Sequence, residues 1–344
     1  MIYFKNDYSE GAHESILKKL NTTNLVQDKG YGNDQYTKEA KELIQKKLKD
    51  KNADIHFISG GTQANLTIIG SILRPHESVI APETGHICVH ETGAIEATGH
   101  KINTVKTIDG KLTPELIKPV LIAHEDEHMV KPKLVFISNS TEIGTHYTKS
   151  DLEKLSNFCK ENDLYLYLDG ARLGSALTVK GCDLTLAELS TYLDAFYIGG
   201  TKNGALLGEG IVLNNEDFKV NFRFHLKQRG GLLAKGRLIA IQFLELFKDN
   251  LYFDLAKHAN AMAALITEAV EEHGYEFLTK SQTNQIFPIL PNEVIKVLQK
   301  NYEFYIWSKV TKDTSSLRLV TSWATKEENV RQFIKDLDQA VKGL

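Results

Sequence analysis

Between about residues 39 and 213, short apolar runs alternate with longer amphipathic stretches. This alternation constrains the fold more than any other feature of the chain. The apolar runs fall at 55–58, 78–81, 101–105, 134–137, 164–168, 195–198 and 210–213. Each is four or five residues long, rich in β-branched and aromatic side chains, and too short for a buried helix. Between them, helical periodicity covers 63–73, 89–97, 114–124 and 151–161. Strand and helix in strict turn predict an α/β domain, a mainly parallel seven-stranded sheet with helices on both faces. An apolar-periodic stretch over 232–267 reads as helix leaving the sheet, broken at Asp249-Asn250. After Gly274 the pattern changes to short strands (286–290, 317–321) and helices (292–299, 326–341). A large domain over 1–249 and a smaller C-terminal α+β domain over 250–344 follow.

In a chain of 344 residues, 42% hydrophobic content suffices for a substantial core. A formal net charge of -3 leaves no excess of cations to displace the counterions of a nucleic acid. No apolar run reaches membrane-spanning length, and residues 1–7 lack the basic and apolar regions of a signal peptide. Cys88, Cys159 and Cys182 are too few and too scattered for a disulfide framework or a zinc site, and read as reduced thiols. A cytoplasmic enzyme acting on a small molecule is the natural class, with no membrane or nucleic-acid partner and no metal.

Two of the strand-like runs end in a single ionisable residue. The run 164–168 closes on Asp169-Gly170-Ala171-Arg172, and 195–198 closes on Gly199-Gly200-Thr201-Lys202-Asn203-Gly204. Ligands of open α/β sheets bind at the carboxyl ends of strands. A lysine there has a buried stem and glycines that permit close backbone approach, so its pKa falls and the neutral amine becomes available. A carboxylate at the end of the strongest strand is buried and requires a partner. Together they match the needs of pyridoxal 5'-phosphate: an amine for a Schiff base, and an acid that keeps the ring nitrogen protonated. Arg172 suits either an ion pair with Asp169 or bidentate capture of an amino-acid carboxylate. Gly60-Gly61-Thr62 follows a strand and opens a helix, where free N–H groups and the Thr62 hydroxyl favour a phosphate, with Thr201 as a second hydroxyl. His86, just after another strand, is placed either as a structural residue or to stack on a planar cofactor and move protons. His128 follows the acidic run Glu125-Asp126-Glu127 and reads equally as a surface histidine. The loops 6–11 and 30–36, the second with Tyr31 between glycines, are connectors of the kind that line sites.

In combination these segments resemble the low-specificity threonine aldolases of the β-eliminating lyase group, within the aspartate-aminotransferase-like (fold type I) pyridoxal phosphate enzymes. The resemblance runs from Asn6-Asp7 to the strand holding Arg318. It is carried by Tyr31-Gly32-Asn33-Asp34, Gly61-Thr62-Gln63-Ala64-Asn65, Asp169-Gly170-Ala171-Arg172, Lys202 and Leu317-Arg318-Leu319-Val320-Thr321. It implies that Lys202 carries the cofactor, Asp169 pairs with the pyridine nitrogen, and His86 stacks over the ring. It implies that Gly61, Thr62 and Thr201 hold the phosphate, and that Asn6, Arg172 and Arg318 bind the substrate. His128 is implied in proton transfer at the substrate β-hydroxyl, and Tyr31 in a site shared between subunits of a homodimer or homotetramer.

Three stretches depart from the family pattern. Asn6 stands for a serine, and Ser138-Asn139-Ser140-Thr141-Glu142 stands for Glu-Asn-Thr-His-Asn. The Gly-Gly-Gly-Met-Arg-Gln stretch is here Arg229-Gly230-Gly231-Leu232-Leu233-Ala234, so the phosphate-binding arginine falls on Leu233, with Arg229 or Lys235 as substitutes. The implied reaction is cleavage of β-hydroxy-α-amino acids such as L-threonine or L-allo-threonine to glycine and an aldehyde. The rival on the same scaffold is a β-eliminating lyase or racemase, and a rival of another class is a non-catalytic regulatory protein. A nicotinamide-binding reading lacks Gly-x-Gly-x-x-Gly after a first strand.

Overall fold

The computed structural model describes residues 1–343. A two-residue strand, β1 (Ile2–Tyr3), precedes the strands of the central sheet: β2 (Asp54–Ile58), β3 (Glu77–Pro82), β4 (Ile102–Val105), β5 (Lys131–Ser138), β6 (Tyr165–Asp169), β7 (Ala195–Gly199) and β8 (Glu209–Leu213). Their spatial order is β2-β8-β7-β6-β5-β3-β4. The neighbours from β7 through β4 run parallel, and only β8 opposes β2 and β7. The seven runs predicted from sequence are these seven strands, displaced by at most a few residues.

Burial on both faces explains the near-continuous apolar runs. Side chains alternate between two cores with the period of a strand. Val135, Ile137, Leu166, Leu168, Phe196 and Ile198 pack on one face, under the helices Glu14–Thr23, Gln35–Leu48, Lys149–Glu161 and Arg237–Phe247. Leu134, Phe136, Tyr167, Ala195 and Tyr197 point to the other, where Ala64, Ile68 and Ile69 of the helix Gly61–Ile72 cover them. Thr148 and Asp151 form a reciprocal capping box that starts the helix at 149, so the predicted start moves two residues upstream.

The break expected at Asp249-Asn250 is present. Both residues take left-handed φ, +52° and +68°, between the helices Arg237–Phe247 and Leu251–Glu272. The helix predicted over 89–97 does not form. Thr92 and Gly93 are left-handed, and only His86–Val89 and a short turn at Glu96–Thr98 are helical. Beyond residue 272 lie β9 (Gln285–Ile286), β10 (Ile289–Pro291), β11 (Tyr302–Glu303), β12 (Tyr305–Lys309) and β13 (Thr314–Val320). β13 pairs antiparallel with β9, β10 and β12. A third core, built from Met262, Ile266, Leu290, Leu317, Phe333 and Leu337, also takes in Phe4, because β1 pairs with β11. Among the described residues, no helix is long and apolar enough to cross a membrane.

The carboxyl ends of β5, β6 and β7 and the first residue of β8 lie at one end of the sheet. Ser138 pairs with Asp169, and Glu209 sits in register with both Gly199 and Ile58. Two glycines bring the loops after β6 and β7 into contact. The Gly199 N–H donates to the Gly170 carbonyl at 2.9 Å, and a Cβ on Gly170 would overlap the Tyr197 carbonyl oxygen. A backbone atom has little room to yield. Gly170→Ala is therefore expected to lower stability by about 3 kcal/mol, read as an earlier urea midpoint than the parent; an unchanged midpoint would refute the close approach.

Candidate active site

A cavity of about 500 Å³ opens at this end of the sheet, with His86, His90, Glu142, Arg172, Lys202 and Arg318 among the residues that line it. Apart from His86 and His90, which share one short helix, each arrives on a different structural element. Lys202 is carried by the turn after β7, Arg172 by the turn after β6, Glu142 by the turn after β5, and His86 by the short helix after β3. Arg318 comes from β13 of the C-terminal sheet.

Asp169 is 3% exposed. Its carboxylate accepts hydrogen bonds from the Ala171 N–H at 3.0 Å, the Asn65 side-chain amide at 3.1 Å and the Tyr197 hydroxyl. It forms no ion pair among the described residues. The network continues outward. Tyr167 donates to the Asn65 carbonyl oxygen at 2.7 Å, and Asn65 donates to Glu91 at 2.7 Å. The Glu91 carboxylate lies 2.8 Å from Nδ1 of His86. A carboxylate at Nδ1 holds the ring proton there and leaves Nε2 as the acceptor. Alternation along β6 and β7 explains why Tyr167 and Tyr197 point toward the helix that carries Asn65.

Lys202 is half-buried and forms no ion pair among the described residues. Burial lowers its pKa, and the charge of Arg172 lowers it further, while Asp7, Asp169 and Glu209 oppose the shift. Arg172 does not pair with Asp169. Its Nε and one terminal nitrogen grip the Asp7 carboxylate at 2.6 and 2.9 Å, and Asn284 donates to the same carboxylate at 2.9 Å. Burial pushes the Asp7 pKa up, but the Arg172 guanidinium outweighs it and holds the carboxyl below its ordinary range. Arg318 has a buried Nε without a partner, and its guanidinium lies 5.9 Å from the Tyr305 ring and 5.7 Å from the Trp307 ring.

The remaining predicted residues are placed as follows. Gly61 and Thr62 open the helix Gly61–Ile72, which no side chain caps, so its first N–H groups are available to an anion. The Thr201 hydroxyl lies 2.9 Å from Glu209. Asn6 spends its side-chain carbonyl on the Tyr8 N–H and the Ser9 hydroxyl at 3.0 and 2.8 Å, which turns the segment so that Asp7 points inward. Tyr31 and His128 are not brought to the cavity of their own chain. Tyr31 is 44% exposed, lies under Lys227, and borders a separate small cleft with Lys41 and Arg223. His128 is exposed, just before the start of β5, so the strand's eight residues, roughly 25 Å, separate it from the cavity. Leu233 borders the Tyr31 cleft, Lys235 is exposed, and the Arg229 guanidinium lies against Gly70, nine residues along the helix from Gly61.

Sequence reasoning passed over four acids of the site: Asp7, Glu91, Glu142 and Glu209. Asp7 has no local signal, because its partners lie 165 and 277 residues away. Glu142 is recognisable only as a departure from the family loop. It accepts from the His86 N–H at 2.9 Å and the Ser138 hydroxyl at 2.7 Å, and burial raises its pKa. Glu209 is buried at the start of β8, where burial pushes its pKa up to about 7.

This donor set fits pyridoxal phosphate. A buried carboxylate lacking a cation awaits a protonated ring nitrogen, a half-buried amine without an ion pair awaits an aldehyde, and an uncapped helix start awaits a phosphate. Comparison with known proteins agrees. The model of the beta-eliminating lyase family matches residues 8–292. A low specificity L-threonine aldolase of Pseudomonas aeruginosa is 31% identical over 97% of this chain and 96% of its own, and one from a Pseudomonas species is 32% identical over the same shares. The structure of a threonine aldolase from Leishmania major superposes with a TM-score of 0.98 at 48% identity, covering 99% of this chain and 100% of that one. A Thermus thermophilus aspartate aminotransferase shares the fold, with a TM-score of 0.71 at 14% identity. The chain thus belongs to the beta-eliminating lyase family and, within it, to the low-specificity threonine aldolases, pyridoxal-phosphate-dependent enzymes of the aspartate-aminotransferase-like fold.

Proposed function

We propose that this chain cleaves L-threonine or L-allo-threonine to glycine and acetaldehyde. The observation that carries this reading is the half-buried, ion-pair-free Lys202 amine in the same cavity as Arg172 and Arg318. Bound pyridoxal phosphate supplies the electron sink that lets the Cα–Cβ bond of an amino acid break. Lys202 would hold the cofactor through its amine. Asp169, anchored by Tyr197, Asn65 and the Ala171 N–H, keeps the ring nitrogen protonated. The uncapped helix start at Gly61 and Thr62 receives the phosphate.

The two arginines hold the substrate carboxylate. Asp7 takes one edge of the Arg172 guanidinium and so aims its remaining N–H groups, and Arg318 brings an unpartnered Nε. Fixing the carboxylate orients the bond to be broken, a contribution of position rather than of charge. His86, its Nδ1 bound to Glu91, takes the β-hydroxyl proton at Nε2, directly or through one water. His90 faces the same cavity, and burial together with the charges of His86, Arg318 and Lys202 lowers its pKa, which favours its neutral imidazole beside the reacting groups.

Tyr31 and His128, turned away from the cavity of their own chain, serve a neighbouring copy in a cytoplasmic homodimer or homotetramer whose sites lie at the subunit interface. The family resemblance supports this arrangement for Tyr31, and the exposure of the side chain supports it for both.

Lys202→Ala is expected to abolish acetaldehyde release from both substrates and to leave no cofactor trapped on the protein by borohydride; full turnover in this variant would end the assignment. Release of pyruvate and ammonia by the parent, with no acetaldehyde, would move the reaction to elimination. Arg318→Ala removes one charge-assisted contact to the carboxylate, about 2–3 kcal/mol. The KM for threonine should rise by a factor on the order of 50–100 while cofactor absorbance stays unchanged. An unaltered KM would remove Arg318 from the carboxylate site.

A further inference from the structure

The proposed function gives Glu209 no role, yet its hydrogen bonds decide where the proton of the Thr201 hydroxyl points. Glu209 opens β8, in register with Ile58 on one side and Gly199 on the other. It therefore lies between the turn that leads into the helix at Gly61 and the turn that carries Thr201 and Lys202. One carboxyl oxygen, Oε2, accepts the Gly200 N–H at 2.8 Å. The other, Oε1, lies 2.9 Å from Oγ1 of Thr201, and that hydroxyl also accepts the Gly208 N–H at 2.9 Å.

A hydroxyl has one proton and two lone pairs. With Glu209 ionised, the Thr201 proton is spent on Oε1, and none is left for another acceptor. With Glu209 protonated on Oε1, the acid donates instead. The Gly208 N–H and the Glu209 O–H then fill both lone pairs of Thr201, and its own proton is free to point away from the pair. The geometry points to Glu209 as a proton-gated positioning residue: its neutral form turns the Thr201 hydroxyl into a donor for the cofactor phosphate, and its ionised form withdraws that donor. This inference rests on the pyridoxal-phosphate reading above.

The surroundings favour the neutral form. Burial is the main cause of the upward shift to about 7, the Asp169 charge on β6 adds to it, and Lys202 after β7 and the two hydrogen bonds oppose it. The other titratable groups facing Glu209 are the phenols of Tyr167, Tyr197 and Tyr252, all of them neutral. A neutral Glu209 also removes one of the three carboxylates that raise the Lys202 pKa, which suits an amine that must react in its free form. A raised carboxyl pKa gives the sign: the donor is present below about pH 7 and is lost above it.

The test is a fluorescence titration of the full chain, stripped of cofactor, with pyridoxal phosphate and separately with pyridoxal, on both sides of pH 7. Glu209→Gln is the neutral mimic, its amide donating to Thr201 and its carbonyl accepting from Gly200. Affinity of the parent relative to Glu209→Gln should fall about tenfold across the transition, the loss of one hydrogen bond to a charged group. Comparison with the variant cancels the titration of the phosphate. With pyridoxal, whose aldehyde meets the same Lys202, the step should be clearly smaller, because no phosphate is present to receive the proton. Thr201→Val, with Glu209 intact, should erase the step as well, which keeps the test open should Glu209→Gln fold poorly. Weaker binding by Glu209→Gln at every pH, a step that persists in Thr201→Val, or an equal step with pyridoxal would overturn the inference. If the parent binds no pyridoxal phosphate at all, the functional reading fails with it.

Discussion

The hydrogen bond from the Gly199 N–H to the Gly170 carbonyl joins the two turns on which the site depends. Parallel strands bring β6 and β7 side by side, but adjacency alone leaves their terminal loops free to splay. The absence of side chains at Gly170 and Gly199 lets backbone meet backbone, since a Cβ on either residue would fall on a carbonyl oxygen of the opposing turn. Asp169 and Lys202 consequently hold a fixed separation before any ligand arrives. That is preorganisation by main-chain packing, the rigid kind on which a reacting constellation depends.

Around this joint the site is built from more acids than bases. Asp7, Glu91, Glu142, Asp169 and Glu209 meet Lys202, Arg172, Arg318 and His86. They are not interchangeable, because each is assigned a different electrostatic state by its neighbours. Asp7 sits against Arg172 and stays ionised, while Glu142 and Glu209 are shifted upward by burial. Asp169 receives three neutral donors and no cation. Placing like residues in unlike surroundings is how one cavity accommodates anchors, proton holders and a partner for a ring nitrogen.

The sheet was legible because its strands are buried on both faces, and unbroken apolar runs are visible without any knowledge of contacts. Asp169 and Lys202 were legible for the same reason: a charge that ends such a run has few places to go. The helix expected over 89–97 misled because its apolar spacing hides the left-handed turn at Thr92 and Gly93. Arg172 was open in sequence between a carboxylate three residues away and that of a substrate, and Asp7, which it grips in the fold, is met only after folding. Glu209 looked like a polar residue between two glycines. Nothing local distinguishes a buried acid from an exposed one, since its burial is created by β2 and β7 on either side. Tyr31 and His128 show the converse. Residues recognised by family pattern need not converge within one chain.

The N-terminal segment spans all of these parts. Ile2 and Tyr3 pair with Tyr302 and Glu303, Phe4 enters the C-terminal core, and the Phe4 carbonyl accepts from the Val320 N–H. Three residues on, Asp7 bridges Arg172 and Asn284. The segment's pairing strand and its core lie some three hundred residues further along the chain. The strands of the central sheet all precede them, so during synthesis Asp7 is anchored against Arg172 only once β11 and β13 have been made. Until then Arg172 has no fixed partner, and the ordering of the N-terminal segment follows that of the sheet.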